Sequence, residues 1–191
     1  QGVRRVAFVG TPCQIKSIRK MQAMGIVPSE AIAFCFGLFC SGNFFFGDGE
    51  RWALANMGGF SWDQVVKLNV KDDFLVHLRD GSTVSIELDK LESMKRRACR
   101  YCPDYAAEFA DISFGGLGAE EGWTTVLTRS PLGRAVLADA RGHAIEDFSW
   151  KDNPHFATQA FERIQTWSAR KKKASETNRR ELSGSPVKFR A

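Results

Sequence analysis

Near the N-terminus, apolar and polar positions predict a strand, a tight turn and a helix. The apolar run at residues 3–9 is typical of a buried strand. It leads into Gly10, Thr11 and Pro12, after which apolar residues recur at helical spacing until Gly25. Thr at the N-cap, Pro at the first helical position and Gly at the end are preferred helix signals. A second apolar run at residues 31–39 predicts an inner strand.

Farther along, the pattern changes from a strand and helix pair to short strands. Alternating runs and the hairpin signal Asp80-Gly81 predict a small antiparallel insertion, and later apolar runs predict two more strands. These strands are expected at residues 65–69, 74–78, 83–88, 110–113 and 123–128, with helices at 48–57 and 131–140 and a short helix or loop at 88–98. The predicted fold class is α/β, with a partly parallel sheet flanked by helices and a small antiparallel insertion.

The C-terminal part of the chain carries a weaker pattern. Residues 156–167 are expected to form one amphipathic helix, and residues 171–191 are polar, basic and expected to be disordered. We therefore divide the chain into a domain at 1–150 and an appendage at 151–191. Because the chain begins at Gln1 and enters a strand almost at once, we expect it to be a fragment or a processed product.

Composition narrows the class of protein. The chain has 191 residues, of which 43% are apolar and 26% charged, as in a globular protein. Its net charge of +5 is concentrated after Ser168, so we do not expect the domain itself to bind nucleic acid. No apolar run reaches the length of a membrane helix and no secretory signal is recognisable, which predicts a cytoplasmic protein without a transmembrane segment.

Four of the five cysteines occupy positions typical of thiolate ligands. Cys99 and Cys102 form a CxxC pair, while Cys13 and Cys40 each follow a predicted strand. The carboxyl ends of parallel strands meet at one edge of a sheet, so a fold of this class brings Cys13 and Cys40 to the same edge. Cys35 lies inside an apolar strand and is interpreted as a core residue.

The residues alone leave the occupant of such a site open. An iron-sulfur cluster, a zinc ion and a redox disulfide are all compatible with a CxxC pair. Zinc sites usually combine two close pairs of ligands, whereas Cys13 and Cys40 are single, so iron-sulfur is favoured. Separately, Gly115, Gly116 and Gly118 form a glycine-rich segment that is either a turn or a place where a cofactor approaches the backbone.

Four segments in order strengthen this interpretation. They are VAFVGTPCQI at 6–15, GLFCSG at 37–42, CRYCPDY at 99–105 and ADISFG at 110–115. Together they strongly resemble the C-terminal domain of the family of beta subunits of coenzyme F420 hydrogenases and dehydrogenases. In relatives, a Gly-Asp pair is frequent where this chain has Gly115-Gly116, and a further region precedes the first motif.

The resemblance implies an electron-transfer oxidoreductase subunit with a 4Fe-4S cluster and FAD. Its ligands fall on Cys13, Cys40, Cys99 and Cys102, with Cys35 as the weaker substitute for Cys40. The implied partners are other subunits of a hydrogenase or dehydrogenase complex and a hydride acceptor such as coenzyme F420. The alternative is a truncated, non-catalytic docking domain that keeps a four-cysteine metal site, with iron-sulfur or zinc, for its own folding.

Overall fold

The computed structural model of the protein describes residues 5–70, 73–148 and 155–184. Its strands are β1 (Val6–Gly10), β2 (Ile32–Leu38), β3 (Val65–Val70), β4 (Asp73–Leu78), β5 (Thr83–Glu87), β6 (Ile112–Gly115) and β7 (Thr125–Thr128). Its α-helices are α1 (Pro12–Ala23), α2 (Asp48–Gly58), α3 (Pro131–Arg141) and α4 (Phe156–Gly184). The chain divides into two compact units, one of residues 1–41 with 101–191 and one of residues 42–100.

The first unit contains a mostly parallel sheet with strand order β1-β2-β6-β7. β1, β2 and β6 run parallel, and β7 closes the sheet antiparallel to β6. The turn from β1 into α1 is fixed at Thr11, whose backbone N–H donates to Gln14 Oε1 at 2.8 Å. This unit confirms the predicted parallel α/β sheet.

The interior of this sheet is organised around a small core and one buried carboxylate. Ile15 and Cys35 are fully buried and pack with Ala107 and Ala110. Beside them, the Asp111 carboxylate accepts hydrogen bonds from Arg19 and from the backbone N–H of Cys35, both at 2.8 Å. Asp111 therefore ties α1 to β2 from the start of β6.

The second unit is the predicted antiparallel insertion. β3, β4 and β5 form a three-stranded antiparallel sheet, and the β4–β5 turn has Gly81 at φ +87°, where a glycine is favoured. Two 3₁₀ turns, Leu88–Met94 and Arg97–Tyr101, follow β5 where a short helix or loop was expected. The core of the second unit comprises Leu54, Phe60, Phe74, Val76, Ile86, Leu91 and Met94.

The C-terminal helix corrects one prediction. Residues 171–184 continue α4 without a break, so the expected disorder is wrong for them, and residues 185–191 lie outside the described part. Composition missed the helix because its second half is held by polar contacts; Ser175, for example, is 1% exposed and donates to Tyr101 O at 2.8 Å. The proposed domain limit at residue 150 also falls among residues that the structure does not describe, and it stays a prediction.

Candidate metal centre and its surroundings

Cys13 and Cys40 occupy equivalent places at the carboxyl edge of the parallel sheet. In the β1–β2 pairing, Gly10 is in register with Gly37, and each cysteine is the third residue after its paired glycine. Cys13 is exposed in the first turn of α1, and its sulfur shares a 3.3 Å hydrogen bond with Thr11 Oγ1. The Thr11 hydroxyl donates to Gln14 Oε1 at 3.0 Å, so its oxygen can accept from the Cys13 thiol.

A backbone hydrogen bond joins the loop of Cys40 to the segment that follows the CxxC pair. The Cys40 N–H donates to Tyr105 O at 2.9 Å, and Tyr105 lies three residues after Cys102. The Cys102 thiol donates in turn to Asp104 O at 3.7 Å. Cys40 and Cys102 are both half-buried. Each is therefore partly accessible to solvent, while hydrogen bonds hold the segment that carries it.

Cys99 belongs to the antiparallel unit, where its sulfur accepts a hydrogen bond from the segment around residue 43. The backbone N–H of Asn43 donates to Cys99 Sγ at 3.3 Å. That arrangement is supported by a bridge between Phe44 and Lys95 and by the bond from Arg96 N–H to Asn43 O at 2.8 Å. Backbone N–H groups directed at sulfur are the contacts that tune thiolate-bound iron centres.

The structure describes the surroundings of each of the four predicted ligands within its own unit. Three belong to the α/β unit and Cys99 to the antiparallel unit. Within the residues that the structure describes, no group of three or more His, Cys, Asp or Glu side chains is arranged to hold a metal ion. The chemistry of the donors fits: all five cysteines are described, and none is in a disulfide. A set of four thiolates suits an iron-sulfur cluster or zinc.

Cys35 has a different environment from these four. It is 0% exposed, and burial raises the pKa of its thiol, an effect that Arg19 opposes and Asp111 reinforces. A protonated thiol in a packed core is a poor metal ligand. Cys35 is thus a core residue, as the sequence indicated, and Cys40 stays the predicted second ligand.

Asp104 is a residue that the sequence reasoning missed. It is 6% exposed; its Oδ2 accepts from the Glu108 N–H at 3.0 Å, whereas its Oδ1 has no hydrogen-bond partner among the described residues. Burial raises the pKa of this carboxyl, outweighing the lowering by the Glu108 N–H. The available signal was its place directly after Cys102 and Pro103.

In the glycine-rich segment, local structure explains why glycine is needed at two of the three positions. A Cβ at Gly115 would lie 2.0 Å from the Phe39 ring, and Gly118 has φ +85° with its Cβ position 2.9 Å from Ala160. Gly116 has open space where a Cβ would be. Packing and conformation thus account for Gly115 and Gly118, and a cofactor role for the segment stays a prediction that rests on Gly116.

The α/β unit also contains an apolar cavity of about 620 Å³. It lies beside β7, α3 and the first turns of α4, with the Trp123, Phe148 and Phe156 rings among its walls. These rings contact each other, with centroids 5.1 Å apart for Trp123–Phe148 and 5.0 Å for Phe148–Phe156. Sequence reasoning did not find this cavity because its walls come from well-separated segments.

Comparison with known proteins identifies the family. The family model that matches residues 3–149 describes the C terminus of the coenzyme F420 hydrogenase/dehydrogenase beta subunit. The chain belongs to this family. The match confirms the resemblance seen in the four sequence segments, and it spans the parallel sheet and the antiparallel unit.

Members of the family with named functions are similar along much of the chain. The coenzyme F420 hydrogenase subunit beta of Methanococcus voltae is 31% identical over 98% of this chain and 67% of its own length. The F420-dependent formate dehydrogenase subunit beta of Methanocaldococcus jannaschii is 26% identical over 72% of this chain and 37% of its own length. The chain therefore spans about two thirds or less of the length of these relatives.

A solved structure has the same fold. The F420-reducing [NiFe] hydrogenase complex from Methanosarcina barkeri contains a chain that matches with a TM-score of 0.79 at 24% identity. The match covers 93% of this chain and 61% of that one. Among the helices of the described residues, none is both long and apolar enough to cross a bilayer.

Proposed function

We propose that this chain is the cluster-binding part of an electron-transfer oxidoreductase subunit. Cys13, Cys40, Cys99 and Cys102 are the proposed ligands of one 4Fe-4S cluster. When bound, the cluster exchanges single electrons, and FAD couples them to hydride transfer with coenzyme F420 or a similar acceptor. The proposed partners are the other subunits of a hydrogenase or dehydrogenase complex.

One observation carries the proposal more than any other. The register of β1 and β2 puts Cys13 and Cys40 at matching positions beyond one edge of the sheet, although they are far apart in sequence. The carboxyl edge of an open α/β sheet is where ligands bind. Equivalent spacing from paired glycines therefore puts both cysteines on the side of the sheet where a shared ligand would bind.

The sulfurs of two proposed ligands already meet polar groups of the chain. Thr11 Oγ1 lies 3.3 Å from the Cys13 sulfur, and the Asn43 N–H donates to the Cys99 sulfur. A backbone N–H directed at sulfur is a contact that metal-bound thiolates commonly have. The backbone bond from Cys40 to Tyr105 then fixes the two loops that carry Cys40 and Cys102.

The flavin part of the proposal rests on the family and on the open space at Gly116. Since the chain spans only part of its relatives, a region outside it is expected to complete the flavin site. FAD retention by the isolated chain is therefore a separate question from cluster binding, and both are measured together in one preparation.

The test is purification without oxygen, followed by analysis for iron, acid-labile sulfide, zinc and FAD. About four iron and four sulfide per chain are expected for one 4Fe-4S cluster. About one zinc without sulfide would overturn the cluster proposal. A matched preparation of Cys13→Ser should lose iron and sulfide together.

The partial coverage of the relatives favours one second candidate, a docking domain with a structural four-cysteine metal site. This candidate predicts metal that stabilises the fold but no bound FAD and no electron exchange. Reduction with dithionite separates the electron-transfer role from a docking domain that holds zinc: a near-400 nm band that bleaches supports the former, and the absence of such a band supports the latter.

A further inference from the structure

One face of α4 runs along the cysteine-bearing edge of the parallel sheet. Its first half contributes apolar contacts: Ile164 is 3% exposed and packs with Tyr105, and the Trp167 ring lies 5.9 Å from the Tyr105 ring between centroids. Tyr105 is the residue whose carbonyl receives the Cys40 N–H. The helix is thereby seated next to the segment that follows Cys102.

The second half of the same face carries polar side chains at four-residue spacing, Lys171, Ser175 and Arg179. Residues four apart lie one above another on a helix, so these three share the face that begins with Ile164 and Trp167. We call them the α4 polar row. Of the three, Ser175 is 1% exposed, which places the middle of the row in a packed setting.

The α4 polar row donates to the backbone of the loops that carry two proposed ligands. Lys171 Nζ donates to the carbonyl oxygen of Cys40 itself. Ser175 Oγ and an Arg179 guanidinium nitrogen donate to the carbonyl of Tyr101, the residue before Cys102, at 2.8 and 2.9 Å. Half-buried carbonyls at the ends of regular elements need donors, and here all three donors come from one helix.

The charges of the row have a second consequence. A 4Fe-4S cluster with four thiolates is an anion, and reduction adds one more negative charge. Lys171, which is half-buried, brings positive charge to the carbonyl of Cys40, where partial burial weakens screening by solvent. Arg179 brings a second, exposed charge to the residue before Cys102. Cations in this position stabilise the reduced form more than the oxidised one.

We propose that the α4 polar row is a set of positioning residues: it fixes the loops of Cys40 and Cys102, and its cations raise the reduction potential of the cluster. This inference rests on the proposed function. It assigns to α4 a role at two places where regular elements end: Cys40 lies beyond the end of β2, and Tyr101 is the last residue of a 3₁₀ turn.

The experiment compares Lys171→Met with Lys173→Met in the full chain loaded with its cluster. Both remove one cation from α4, but Lys173 is exposed. A redox titration followed by EPR should show a lower midpoint potential in Lys171→Met than in the wild type. The expected decrease is about 59 mV, which is a tenfold change in the one-electron reduction equilibrium. Lys173→Met and the conservative Lys171→Arg should stay near the wild-type potential. Equal shifts in the two Met variants would overturn the charge role.

A second measurement does not need the cluster. In metal-free protein, Ser175→Ala should speed alkylation of Cys102 severalfold while Cys13 keeps its rate, since the Ser175 hydroxyl donates to the carbonyl of Tyr101, the residue before Cys102. An unchanged rate at Cys102 would overturn the positioning role. If wild-type protein contains no iron or sulfide, the proposed function fails, and the alkylation rate of Cys102 still decides whether the row orders its loop.

Discussion

The interior of the parallel sheet and its carboxyl edge place the same side chain in two chemically different settings. Cys35, inside β2, is 0% exposed, has a raised thiol pKa caused mainly by burial, and packs against Ile15. Cys40 follows the end of the same strand, is half-buried, and belongs to a loop whose backbone is tied to Tyr105 and Lys171. Five residues along one chain therefore separate a packing thiol from a proposed ligand.

This difference shows how a parallel sheet sorts residues by position along the strand. Within the strand, side chains meet neighbouring layers and lose water, which disfavours the thiolate. Beyond the strand, the chain leaves the packed layers, so its side chains stay accessible to solvent and to ligands. The contrast between Cys35 and the edge cysteines can be tested independently of any cofactor.

The largest expected effect is on thiol reactivity in metal-free, folded protein. Cys13 should be alkylated by iodoacetamide at a rate near that of an unfolded peptide, because it is exposed. Cys35 should react about a thousandfold more slowly, since it must wait for the core to open. Mass spectrometry of timed digests measures both in one sample. Comparable rates would show that the interior is not closed.

The next effect concerns the buried carboxylate behind Cys35. Asp111→Ala removes the acceptor of the Cys35 N–H, of Arg19 and of the Ser130 hydroxyl. We expect the free energy of unfolding to fall by about 2–4 kcal/mol, the usual cost of breaking a buried, hydrogen-bonded charge. Urea titration monitored by tryptophan fluorescence gives the value.

The matched control is Asp147→Ala, which removes an exposed carboxylate paired with Arg141 at 3.0 Å. Exposed pairs contribute less than about 1 kcal/mol. Similar losses in the two variants would mean that Asp111 does not organise the sheet interior as its contacts indicate.

The smallest expected effect is on the alkaline pH dependence of stability. The raised pKa of Cys35 means that, above about pH 8.5, the unfolded chain releases a proton that the folded chain keeps. Stability from this group is thus complete below that pH and is lost as the pH rises, by up to about 1.4 kcal/mol per pH unit. Cys35→Ala should show a shallower decline between about pH 8.5 and 10 in urea titrations. Parallel curves would contradict the assignment.

Sequence reasoning reached the sheet and the two edge cysteines because their signals are local. An apolar run, then Gly10, Thr11 and Pro12, predicts the end of β1 and the start of α1, and Cys13 follows from that placement. The register of Gly10 with Gly37 needed the structure, because strand pairing joins residues that are distant in sequence.

Residues whose roles depend on distant partners were not predictable in this way. Asp111 bonds to Arg19, which lies far from it in sequence, and the second half of α4 is ordered by backbone carbonyls of Cys40 and Tyr101. A polar, basic composition predicts disorder when such partners are unknown. The walls of the apolar cavity were missed for the same reason.

The most direct test of the central claim is the iron and acid-labile sulfide content of Cys40→Ala and Cys35→Ala, purified side by side without oxygen. The account predicts that Cys35→Ala keeps the wild-type content of both, because it replaces a core residue. Cys40→Ala should lose most of its iron and sulfide, because it replaces a ligand at the sheet edge. Full retention in Cys40→Ala together with loss in Cys35→Ala would contradict the account.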